Sequence, residues 1–93
     1  MAIKRGELEN GFKFKVDDSN LDDIELIEDL AEADNGNVLK YPAILERMLG
    51  ETEKQRLYKF LRDKNGRVKA SLVSDAIEEI FTKIGEDEDE GKN

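Results

Sequence analysis

Residues 17–34 combine a strongly acidic surface with the apolar spacing of a helix, and this segment constrains the fold most. It contains nine acidic side chains and no Lys or Arg. Its apolar residues recur at helical spacing, and they are Leu21, Ile24, Leu26, Ile27, Leu30 and Ala31. One face of the predicted helix is therefore apolar and the other is negative.

Charge of the opposite sign follows in the next part of the chain. Residues 35–85 contain ten Lys/Arg and seven Asp/Glu, which gives this stretch a net charge of 10 − 7 = +3. Opposite charges in neighbouring segments attract each other when the segments pack together. The sequence therefore predicts a small helical domain that is held together partly by ion pairs.

The length of the chain predicts a single domain. A domain with its own core usually has about 50–200 residues, and this chain has 93, of which 38% are hydrophobic. We predict one helical domain over residues 1–85, with an extended N-terminal segment at 1–18. The tail at 86–93 has like charges and no apolar residue, so we expect it to be mobile. Because small domains bury limited surface, self-association is expected to supplement stability.

A short strand is predicted near the N-terminus. Phe12, Phe14 and Val16 alternate with Lys13 and Lys15, which is the period of a half-buried strand. A tight two-residue turn at the preceding Asn-Gly would pair these apolar residues with charged ones, so that the two faces of the hairpin would disagree. We therefore favour a strand that packs on the helices or pairs with another subunit, and keep the hairpin as an alternative.

Four helices are predicted from helical periodicity and from the residues that begin and end helices. Ser19 with Asp22 resembles a capping pair for the first helix, and Thr52 with Gln55 matches a capping box for the third. Gly50 suits the end of the second helix. Polar turns rich in Asn and Gly separate the first helix from the second and the third from the fourth. The predicted helices span about residues 20–33, 42–49, 52–62 and 69–84.

Composition argues against several classes of function. The chain has no Cys and no His, a net charge of −8 and a pI near 4.6. We therefore expect no catalytic residues, no cofactor and no metal site, and the negative charge argues against binding to nucleic acid. The turn at 63–66 does not fit a calcium loop, because position twelve of such a loop would be Ser74 and not Glu. No signal peptide or membrane span is predicted.

The order of motifs resembles that of a known protein family. The motifs are FKFKV, LDDIELIEDLAE, DNGN, KYPAILERMLG, DKNGRV and SDAIEEIFTKIG. This order is similar to that of the tail assembly chaperones of long-tailed siphophages that infect Gram-positive bacteria, and the similarity runs from about residue 11 to the C-terminus. It implies a small helical protein of the host cytoplasm. Such proteins bind the tape-measure protein and keep it soluble until the tail tube polymerises around it.

The predicted partner surface comes from the second helix and its expected neighbour. Most apolar residues of helices two and three should lie in the core, but helix two carries apolar residues on adjacent faces, so some are expected to stay exposed. We predict that Tyr41, Met48 and Phe60 contact the tape-measure protein. Two other functions stay open: an acidic inhibitor that mimics nucleic acid, and an adaptor domain with an unrelated protein partner.

Overall fold

The structure, a computed structural model, describes the backbone of residues 2–92 and the side chains of residues 2–84. Within these residues the fold is mainly helical, as predicted, and it begins with a short pair of strands. The 3-10 turns are Asp18–Leu21 and Val38–Lys40. The regular elements are β1 (Ile3–Glu7), β2 (Lys13–Asp17), α1 (Ile24–Asp34), α2 (Tyr41–Leu49), α3 (Glu51–Leu61) and α4 (Ala70–Lys92).

The last helix is longer than its apolar spacing predicted. α4 continues past residue 84 to Lys92. The acidic tail at 86–93, with its predicted mobility, lies outside the residues whose side chains are described. The side chains of α4 that bury themselves in the core are Val73, Ala76, Ile77, Ile80 and Ile84.

The N-terminal strand forms a hairpin, which is the alternative that we kept and not the arrangement that we favoured. β1 and β2 are antiparallel, with Gly6 opposite Phe14. The backbone N–H of Leu8 donates to the carbonyl of Phe12 (2.8 Å), so the loop has three residues and not the two that we assumed. This shifts the register by one residue and places Leu8, Phe12 and Phe14 on one buried face. The mismatch between apolar and charged residues that a two-residue loop would cause therefore does not arise. Packing of the strand on the helices is confirmed.

The start of α1 differs from the predicted capping pair at Ser19. The carboxylate of Asp23 accepts hydrogen bonds from the backbone N–H groups of Glu25 (2.9 Å) and Leu26 (3.4 Å), so Asp23 is the N-cap. Asp17 accepts from the N–H of Ser19 and caps the preceding 3-10 turn instead. Several acidic residues near the helix start can act as caps, and the sequence alone did not show which of them caps the helix.

A single residue, Gly50, joins α2 and α3. It ends α2, as predicted, and is also the N-cap of α3, with φ of +86°. L-residues with a side chain rarely adopt this conformation. The predicted capping box is wrong, because α3 begins one residue earlier and the side chain of Gln55 donates to Glu51 (2.9 Å). Across the junction, buried Lys54 contacts Glu46 (2.6 Å) and Glu51 (3.1 Å).

The core lies between the hairpin face and the four helices. α2 is its centre, since four of its nine residues are buried. Leu57 and Leu61 contribute from α3, while Leu26 is the one fully buried residue of α1. Leu30 also packs against the core, whereas Ile24 and Ile27 stay exposed. The buried residues of α2 are Ile44, Leu45, Met48 and Leu49.

The turn between α3 and α4 should make the stability of the protein depend on pH. The carboxylate of Asp63 accepts from the backbone N–H of Arg67 (3.0 Å) and of Asn65 (2.9 Å). These hydrogen bonds, that from Arg67 first, lower the pKa of Asp63. A lowered pKa in the folded state adds stability that is present above the unfolded pKa, near 4, and is lost as the pH falls through the folded value.

We expect Asp63→Ala to lower the Tm at pH 7, with a difference from the wild type that shrinks as the pH falls below about 4. Thermal unfolding followed by circular dichroism at pH 7 and pH 3 measures this. Lys64→Ala is the control, because it removes an exposed side chain from the same turn. An Asp63→Ala difference of the same size at both pH values would contradict the role given to the carboxylate.

Candidate functional site

The structure does not bring the three predicted partner-binding residues together. Met48 is fully buried, with 0% of its surface exposed, which corrects the expectation that it lies on a surface. Tyr41 is half-buried and packs against the core. Phe60 is 48% exposed, but it lies against Phe12 and not beside Tyr41. The expectation that α2 leaves apolar residues exposed is therefore wrong for most of that helix.

Phe60 belongs to a small aromatic cluster on α3. Its ring meets the ring of Phe12 edge to face, with 5.3 Å between the centroids. The guanidinium of Arg56 lies 4.4 Å from the centroid of Phe12 and donates to the backbone carbonyl of Lys13. These contacts attach α3 to the hairpin. We read the cluster as a structural contact that leaves part of one ring exposed.

Part of the exposed apolar surface is on α1. Ile24 is 69% exposed and Ile27 is 50% exposed, and Ala31 continues the same side of the helix one turn after Ile27. Contiguous apolar surface on a small domain often marks an interface. The sequence placed these residues on an apolar face, but it gave no sign that the face would stay open.

α1 and α4 border a groove with a volume of about 760 Å³. Ile44 and Ile77 are buried in its floor, and Tyr41 closes part of it from α2. Twelve residues from the three helices line it: Ile27, Leu30, Ala31, Ala33, Asp34, Tyr41, Ile44, Ser74, Ile77, Glu78, Phe81 and Thr82. The groove can bury apolar side chains of a partner, and Tyr41 is the predicted site residue that lines it.

The groove carries a negative rim. Asp34 at the end of α1 and Glu78 on α4 are exposed and line it, and we call these two residues the acidic rim. The twelve lining residues include no Lys or Arg. The site is thus apolar inside and negative at its margin.

The other acidic residues of α1 are largely engaged in ion pairs, as the charge pattern predicted. Lys40 contacts Asp29 and Glu32 at 3.5 Å, and these carboxylates, Glu32 first, raise the pKa of Lys40. Arg47 contacts Asp23, Glu25 and Asp29, each at 3.4 Å. Exposed pairs of this kind contribute little to stability, because water and salt screen the two charges. These two cations pair with four of the nine acidic side chains of residues 17–34, so they offset only part of that negative surface.

The described side chains offer little other chemistry. They include no group of three or more acidic residues placed to hold a metal ion. Within the described residues, none of the helices has both the length and the apolar character that a membrane crossing needs. The groove is consequently the feature of the described surface that best fits a binding role.

Comparison with known proteins found no match: no family model, no curated protein and no solved structure matches the sequence.

Proposed function

We propose that this protein is a tail assembly chaperone that binds the tape-measure protein of a long-tailed phage in the host cytoplasm. Two observations support the proposal. The order of sequence motifs resembles that of such chaperones, and the fold leaves an apolar groove uncovered between α1 and α4. The groove is the observation that carries the proposal, because a chaperone of this kind must cover apolar segments of its client.

The energetics of the groove suit this role. Burial of apolar surface contributes about 25 cal/mol per Å², so a client segment that fills the groove gains binding energy without a catalytic or metal centre. The net charge of −8 opposes aggregation of a complex that carries several copies of the protein. Reversible covering of apolar segments and solubility of the complex are the two properties that the function requires.

The test is co-expression of the protein with the tape-measure protein, followed by size-exclusion chromatography with light scattering. We expect the wild type to keep the client soluble and to co-elute with it. Ile27→Asp should reduce the co-eluting client more than tenfold, because full burial of an Ile side chain contributes about 1.5–3 kcal/mol and a charge in the groove adds a desolvation cost.

Leu39→Asp is the matched control. It also replaces an exposed aliphatic side chain by Asp, at a residue that is 84% exposed and does not line the groove. We expect it to retain the client, and circular dichroism should show that both variants are folded. An aggregated client beside the soluble wild type would contradict the proposed function. Equal losses from the two variants would show that the groove is not the binding site.

A further inference from the structure

The shape, charge and backbone of the groove together indicate the kind of segment that it can accept. We propose that the groove binds about two turns of an amphipathic helix whose apolar face is flanked by Lys or Arg. This inference rests on the proposed function and specifies the chemistry of the client segment.

The walls of the groove favour a helical occupant over an extended one. α1 and α4 satisfy their interior backbone groups within each helix, so these walls offer no strand edge with which an extended segment could pair. A helix satisfies its own backbone hydrogen bonds and can present only its side chains to an apolar groove. The lining of α4 runs from Ser74 to Thr82, which is about 12 Å at 1.5 Å per residue, or roughly two turns.

The spacing of the client's apolar residues follows from the same geometry. Over two turns, one face of a helix presents residues i, i+3, i+4 and i+7. These would contact the exposed wall at Ile27 and Ala31 on one side and Phe81 on the other. The buried floor at Ile44 and Ile77 limits how deeply they can enter.

The acidic rim determines whether the residues beside the apolar face of the client helix should be positive or negative. Asp34 and Glu78 stand on opposite helices, and no base lines the groove. A client helix with Lys or Arg beside its apolar face would approach one carboxylate on each side. A helix with Glu at those positions would meet like charge. Each exposed pair adds only a modest preference, and the two together are expected to make a cationic helix bind about tenfold more tightly than an anionic one.

The test uses two fluorescein-labelled 18-residue peptides and measures binding by fluorescence anisotropy. Both peptides carry Leu at i, i+3, i+4 and i+7, and they differ only in having Lys or Glu at the flanking positions. We expect the Lys peptide to bind the wild type about tenfold more tightly, with the difference reduced at 0.5 M NaCl. The double variant Asp34→Lys/Glu78→Lys should reverse the preference.

A matched double variant distinguishes the effect of the acidic rim from the effect of the net charge of the protein. Glu28→Lys/Asp75→Lys places one substitution on each of the same two helices, at exposed residues outside the groove. Both double variants change the net charge from −8 to −8 + 4 = −4. The control should keep the preference for the Lys peptide. Equal binding of the two peptides to the wild type, or equal loss of preference in the two double variants, would overturn the inference.

Light scattering on the protein alone tests whether a second copy fills the groove. The exposed side of α3, with Lys59 and Phe60, is both cationic and apolar, so it is the competing occupant. Self-association that Ile27→Asp abolishes, together with no binding of the Lys peptide, would assign the groove to a second copy and overturn the inference.

The two proposals can fail separately. If the wild type solubilises the tape-measure protein but the Lys and Glu peptides bind equally, only the inference about the client helix fails. If the Lys peptide binds as expected but the tape-measure protein aggregates beside the wild type, only the proposed function fails.

Discussion

Met48→Asp is expected to abolish cooperative folding at 25 °C. Met48 is fully buried at the centre of the core. Truncation of a buried Met costs about 2–5 kcal/mol, and an unpaired carboxylate in an apolar site adds several kcal/mol whether it stays charged or takes up a proton. The total stability of such a domain is about 5–15 kcal/mol. Urea and thermal unfolding by circular dichroism should show a lost or strongly shifted transition.

Two controls separate this result from a general effect of the substitution. Leu39→Asp introduces the same charge at a residue that is 84% exposed, and it should stay folded. Met48→Leu keeps the apolar volume and should cost less than about 1.5 kcal/mol. A folded Met48→Asp protein with a Tm near that of the wild type would contradict the burial of this residue. Loss of client binding in Met48→Asp therefore cannot be read as loss of a contact.

Gly6→Val is expected to lower stability by about 1–3 kcal/mol, the usual cost of overpacking. A Cβ atom at Gly6 would lie 2.6 Å from the ring carbon Cζ of Phe14, and the ring of Phe14 is itself buried. The ring must leave its position or the two strands must separate. Chemical denaturation at 25 °C measures the change.

Two further substitutions test whether the effect of Gly6→Val comes from the clash with Phe14. Arg5→Val adds the same side chain at an exposed residue of β1, where a β-branched residue is well tolerated, and should change stability by less than about 0.5 kcal/mol. Combining Gly6→Val with Phe14→Leu should cost less than the sum of the two single changes, because the shorter side chain relieves the clash. Strict additivity would argue against the contact.

The sequence predicted the number and order of the helices because polar turns and Pro mark where they are separated, although both predicted capping pairs were wrong. Pro42 lies in the first turn of α2, and the polar turns at 34–37 and 63–66 end helices where expected. The acidic helix and its basic neighbours also form the predicted ion pairs. The turns and helix ends depend on residues close together in the chain, which is where propensity and periodicity are informative, whereas the ion pairs followed from the opposite net charges of two neighbouring segments.

The failures concern features set by tertiary structure. The hairpin register depended on whether the loop has two or three residues, and Asn10-Gly11 permits both. The burial of Met48 and the exposure of Ile27 depend on which neighbour covers each helix face. The groove itself exists because α1 and α4 do not close against each other. No periodicity in a single helix could show a gap between two helices.

The junction at Gly50 makes one part of this chain intolerant of changes in length. An inserted residue between α2 and α3 would rotate α3 by about 100° about its axis, which would turn Leu57 and Leu61 towards solvent. An insertion at 63–66 would instead be absorbed by a surface turn. Natural and engineered variants of this chain should therefore vary in length at the polar turns and keep a constant spacing across residues 49–51.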